Sequence, residues 1–192
     1  AVGARRLRAP LRERASAWLD AERLGAADDE STPRGEDDDS ETAAPYLCAH
    51  WRRGDFSTAM CDVSLAAAHE PDAEHRTRDE HCWQSLAYSA ARLRSVAGAR
   101  GLRVAVIATD ATQAERAALR AAVDAVALDG ATLALRFYAP PETNGTVAAA
   151  LEEQHVCALA AHCLLNERSS FSQRIYLQRR RAVGGSDHSS WW

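Results

Sequence analysis

Tyr46-Leu47-Cys48-Ala49-His50-Trp51 is a short apolar run that passes directly into Arg52-Arg53-Gly54-Asp55-Phe56, two cations and a glycine turn. A run of this length, with Pro45 before it and a turn after it, reads as a buried strand. Three further runs have the same form: Val104–Ala108 with Gly101 before it, Leu133–Tyr138 closed by Pro140-Pro141, and Ala161–Leu165. Between them lie stretches of helical period, roughly 79–98, 112–126 and 147–160, with a last one at 171–182. Strands alternating with helices predict βαβ units, and right-handed crossovers stack those units into a doubly wound α/β domain with a mostly parallel sheet.

Ligands of such sheets bind beyond the carboxyl ends of the strands. The residues to inspect are therefore Arg52 through Asp55, Thr109-Asp110 and Asn166 through Ser170, which the fold would bring to one edge. Two arginines before a glycine turn suit a phosphate, because the guanidinium fork matches its oxygens and stays charged. A surface Arg–Asp pair fits the same residues. Ser169 or Ser170 is a good N-cap for the helix that follows, and a helix N-terminus presents unpaired N–H groups to an anion. Phe171 reads as a core residue or a stacking platform. Thr109 and Asp110 suit either a nucleotide contact or capping of the helix that starts near Thr112. Glu152-Glu153-Gln154 lies early in a helical stretch, where acids favour the dipole.

Composition bounds the rest. The 192 residues allow one domain with a real core, and 46% of them are hydrophobic. A net charge of −4 gives no global basic field for nucleic acid. All basic residues are arginines, and no apolar run approaches the length of a membrane span. Residues 1–24 carry helical spacing with a break at Pro10; 25–44 are acidic, rich in Gly, Pro and Ser, and read as a flexible loop; 183–192 read as a truncated tail. Of five cysteines, Cys48 and Cys157 read as small core residues, and Cys61 and Cys82 as candidates for a disulfide. Without a CxxC pair or a histidine pair at ligand spacing, no metal site is expected. Asn144-Gly145-Thr146 is a glycosylation sequon, which suits the secretory pathway.

In order and spacing these stretches resemble the C-terminal half of the GDP-fucose protein O-fucosyltransferases, over roughly 45–182. The similarity is greater to the branch that modifies thrombospondin type 1 repeats. The stretches that carry it are His50-Trp51-Arg52-Arg53-Gly54-Asp55-Phe56, Ala108-Thr109-Asp110-Ala111, and Glu153-Gln154-His155-Val156-Cys157-Ala158 through Ser169-Ser170-Phe171-Ser172-Gln173-Arg174-Ile175. The resemblance implies a Rossmann-like C-terminal domain of a GT-B glycosyltransferase, with 1–24 as a helical segment from the interdomain region and 45–182 as the GDP-fucose-binding domain. It implies a peptide-O-fucosyltransferase of the endoplasmic reticulum lumen that inverts at the sugar carbon and requires no metal. Fucose would pass from GDP-fucose to a Ser or Thr hydroxyl of a folded protein acceptor.

By the same resemblance Arg52 stabilises the departing GDP, His50 and Asp55 neighbour the donor, and Glu153, Ser169, Ser170 and Phe171 engage the nucleotide. The acidic base is expected in an N-terminal domain that these residues lack. Four positions depart from the family pattern: Trp51 for a small aliphatic residue, Glu153 for aspartate, and Leu165-Asn166 for Gly-Thr. They motivate an alternative, a non-catalytic nucleotide-sugar-binding homologue. A fucosyltransferase with another acceptor is a further one.

Overall fold

The computed structural model describes residues 11, 13–22, 45–53, 84–126, 132–138, 147–166, 169–182 and 189–192. Five strands form one all-parallel sheet: β1 (Leu47–His50), β2 (Val104–Ala108), β3 (Ala134–Phe137), β4 (His162–Leu165) and β5 (Ser189–Trp191). The order across the sheet is β3-β2-β1-β4-β5, the doubly wound, Rossmann-like arrangement that the alternation of elements predicts. Among the described residues five helices accompany it: α1 over 13–22, α2 (Leu86–Ala99), α3 (Gln113–Ala125), α4 (Val147–Leu159) and α5 (Ser170–Ala182). No helix among the described residues is long and apolar enough to cross a membrane.

The central strand is buried along its whole length, and its alternation divides the core in two. Leu47, Ala49 and Trp51 join Leu93, Ile107, Leu119, Val123 and Leu164 under α2 and α3. Cys48 joins Val106, Ala108, Val156, Cys163, Leu165 and Ile175 under α4 and α5, where α1 adds Ala15 and Leu19. Both helical faces thus rest on strands buried on two sides, which is why the runs read as continuously apolar.

Local chemistry sets the helix ends. Thr112 caps α3 in a capping box: it accepts from the Glu115 N–H, and Glu115 reaches back to the Thr112 N–H at 2.8 Å. Two buried arginines serve C-termini, where carbonyls lack helical partners. Arg94 donates to the Val123 carbonyl at 2.9 Å, and Arg179 donates to the carbonyls of Cys157, Ala158, Ala160 and Ala161.

Three sequence expectations change. Cys48 and Cys157 are buried as expected, but they are joined in a disulfide that ties β1 to α4; the buried Cys163 thiol stands outside that bridge and donates to the Cys157 carbonyl at 3.1 Å. Residues 189–191, read as part of a tail, form the edge strand β5 beside β4. Trp192 then folds back, donating its indole N–H to the His50 carbonyl at 2.9 Å. Trp51, a departure from the family pattern, is absorbed by the α2 side of the core, where its indole N–H meets the Ser89 hydroxyl at 3.1 Å. The expected loop at 25–44, Cys61, Cys82 and Asn144 lie outside the described residues.

The disulfide bridges a sequence separation of 109. Replacing both cysteines by alanine is expected to lower stability by about 2–4 kcal/mol, chiefly through the unfolded chain. Urea unfolding with a midpoint equal to wild type would contradict this.

Candidate functional site

The sheet order places its reversal between β1 and β4, since the chain winds outward to β3 on one side and to β5 on the other. Crevices open at such points, beyond the carboxyl ends of the two strands. His50 ends β1 there and Arg52 comes after it, while Asn166, Ser169, Ser170 and Phe171 come after β4, so the sheet brings these sequence-predicted groups to one edge.

On the β4 side, Asn166 is fully buried and its N–H donates to the Ser172 hydroxyl at 2.9 Å. Ser172 also meets His50 Nδ1 at 2.7 Å, which couples the start of α5 to the end of β1. Phe171 lies half-buried against the His50 ring, centroids 4.5 Å apart, so it is both packed and at the rim. Ser169 is buried, and its carbonyl accepts from the Gln173 N–H as an N-cap carbonyl does; Ser170 is exposed in the first turn. The first N–H groups of α5 therefore face the crevice with the positive end of a helix dipole.

On the β1 side the two-residue period separates the arginines. Arg53 follows Trp51 to the α2 face, stacks over its ring at 4.7 Å, and donates to the Gln84 carbonyl and to Glu115. Those contacts make it part of the scaffold. Arg52 follows Cys48 and His50 to the other face and pairs through Nε with Asp110 at 3.2 Å. The second Asp110 oxygen accepts from the Arg53 N–H at 2.6 Å, so one carboxylate fixes the turn and orients Arg52. Thr109 donates to the Trp51 carbonyl and accepts from the Ala111 N–H; its hydroxyl ties β1 to β2, and helix capping falls to Thr112 instead.

Glu152 and Glu153 diverge although adjacent. Glu152 is buried in the α1 contact, accepting from Arg14 and from the Tyr138 hydroxyl at 3.0 Å. Burial and that hydrogen bond raise the Tyr138 pKa. Glu153, one residue further round α4, lies within the fields of Arg116, Asp110 and Arg52. Burial raises its pKa to about 7, and Asp110 adds to the shift while both arginines oppose it. Sequence reasoning missed Arg116 and Ser172. The serine after Phe171 was visible in the motif, but Arg116 had no motif to mark it.

Among the described residues no group of three His, Cys, Asp or Glu side chains is placed to hold a metal ion. Asp55 lies outside the described residues.

With this geometry the chain superposes on solved structures of POFUT1. The crystal structure in complex with GDP matches with a TM-score of 0.64 at 13% sequence identity, covering 95% of this chain and 47% of that chain. A crystal structure of POFUT1 in complex with GDP-fucose matches at 0.63 and 15% identity, covering 95% and 46%. The apo-form matches at 0.60 and 13%, covering 96% and 46%. The likeness is one of fold. The chain spans less than half the length of these proteins, and neither a protein-family model nor a curated protein matches its sequence.

Glu153 gives the site a pH signature. Its folded pKa, about 7, lies above its unfolded value of 4.5, so the folded state binds the extra proton between them. Stability from this group is present at low pH and is lost as pH rises from 4.5 to about 7. The stability difference between wild type and Glu153→Gln should fall across that window and level off above it. A difference constant from pH 4 to 8 in chemical denaturation would refute the burial argument.

Proposed function

We propose that this chain is the donor-binding half of a GT-B peptide-O-fucosyltransferase that takes fucose from GDP-fucose. The observation that carries the proposal is the convergence of Arg52 and the α5 N-terminus at the β1/β4 reversal. Together they offer a guanidinium and unpaired N–H groups to one diphosphate. The shared fold with POFUT1, a protein crystallised with GDP and with GDP-fucose, supports the choice of ligand.

In the proposed reaction an acceptor Ser or Thr hydroxyl attacks the fucose anomeric carbon from the face opposite GDP. The bond from that carbon to the β-phosphate oxygen breaks as the new bond forms, and configuration inverts. Negative charge grows on the leaving diphosphate, where Arg52, already oriented by Asp110, stabilises it without reorganising. Glu153, Phe171 and the Ser169-Ser170 turn hold the nucleotide, and His50 borders the sugar. A base from an N-terminal domain of the full protein takes the hydroxyl proton. The chemistry as written needs no metal. The sequon at Asn144 and the family resemblance favour the endoplasmic reticulum lumen and a thrombospondin-type repeat as acceptor.

The second reading is a homologue that binds the nucleotide sugar without transferring it, and the exchange of aspartate for Glu153 is the feature that favours it. A longer, half-buried carboxyl group with a raised pKa changes how the nucleotide sits.

The full-length protein is expected to transfer fucose from GDP-fucose to a folded thrombospondin type 1 repeat, and Arg52→Ala to reduce transfer by about 100-fold or more. Normal turnover by that variant would remove Arg52 from the mechanism. GDP binding in calorimetry without transfer to any repeat would select the second reading.

A further inference from the structure

The placement of Arg116 is costly by the usual rules. It is the fourth residue of α3, in the first turn, where the helix dipole disfavours a cation. Among the described residues no carboxylate forms an ion pair with its guanidinium. Instead two carbonyls at the end of β2 hold the group: Nε donates to Ala111 at 2.9 Å and Nη2 to Thr109 at 3.4 Å. The Phe137 ring backs it, 5.8 Å away. These partners are neutral, so they fix its direction without neutralising its charge.

That charge lies beside the crevice groups: the two carbonyls that hold it flank Asp110, whose carboxylate pairs with Arg52. Arg116 exerts the largest charge effect on the Glu153 carboxyl, ahead of Asp110 and Arg52. Arg52 has Asp110 as its counterion. While Glu153 holds its proton, Arg52 and Asp110 cancel and Arg116 is left as the net charge of this group of four. An anionic ligand placed there gains from Arg116 in particular.

We propose that Arg116 is a second diphosphate-binding residue, contacting one phosphoryl group while Arg52 contacts the other. The inference rests on the donor-site reading above. It concerns a residue outside every motif that led to that reading. Held by two carbonyls, the guanidinium is pre-organised, so little side-chain entropy is lost when a phosphate arrives.

The test is calorimetry on the full-length protein with GDP, inorganic pyrophosphate and uncharged guanosine, comparing wild type with Arg116→Gln and Arg116→Lys. Glutamine keeps a donor for the carbonyls but no charge; thermal melts establish that it folds. Arg116→Gln is expected to weaken GDP and pyrophosphate about 10- to 100-fold, to leave guanosine unchanged, and to flatten the salt dependence. Lysine should restore part of the loss. Equal affinity of wild type and Arg116→Gln for GDP and pyrophosphate overturns the inference and leaves the GDP reading intact. A wild type that binds pyrophosphate in an Arg116-dependent way, but not GDP, overturns the nucleotide reading and supports the anion site. Binding of neither ligand overturns both.

Discussion

The alternation of side chains along β1 is the constraint on which the crevice depends. One residue of slip would send Arg52 into the apolar layer under α2 and turn Trp51 toward solvent, exchanging every contact of the strand end. The register is held from both sides, by pairing with β2 and β4 and by the apolar groups that alternate into the two core clusters. The disulfide from Cys48 to α4 and the indole of Trp192 on the His50 carbonyl add two anchors at the same strand. Because Arg52 extends the pattern of Cys48 and His50, its position at the crevice is a consequence of strand geometry.

That dependence explains what could be read in advance. The four apolar runs, the helical stretches between them and the common edge of Arg52 and Ser169-Ser170-Phe171 followed from period and length, since parallel strands buried on both faces leave a strong signal. The disulfide did not: Cys48 and Cys157 are far apart in sequence, and a buried cysteine looks the same whether free or paired. Strand β5 was hidden because Ser189-Ser190-Trp191 is short, lies at an edge and lacks β-branched residues. Arg53 was indistinguishable from Arg52 by type, and only the two-residue period assigns one to the scaffold and the other to the crevice.

Neighbouring carboxylates make the same point about environment. Glu152 is compensated on arrival by Arg14 and the Tyr138 hydroxyl, so its burial holds α1 and the end of β3 to α4. Glu153, one residue on, rotates by about 100° around the helix. It reaches a place where two arginines and an aspartate compete over its proton. Sequence named both as acids near a helix start, but only packing decides which is structural and which stays responsive.

Asp110 links these arguments. Its two oxygens divide between the Arg53 N–H and the Arg52 side chain, so the turn and the cation are set together. An incoming phosphate would compete with Asp110 for Arg52, and would gain less from it than from a cation without a counterion. The ion pair thus supplies direction more than net attraction, a division of labour common where a guanidinium must be pre-oriented. Attraction must then come from charges without an ion-pair partner among the described residues: the amide dipoles at the α5 N-terminus and the Arg116 guanidinium on its two carbonyls. A crevice of this kind discriminates by geometry first, because an anion that cannot reach all of these groups at once meets a nearly neutral site.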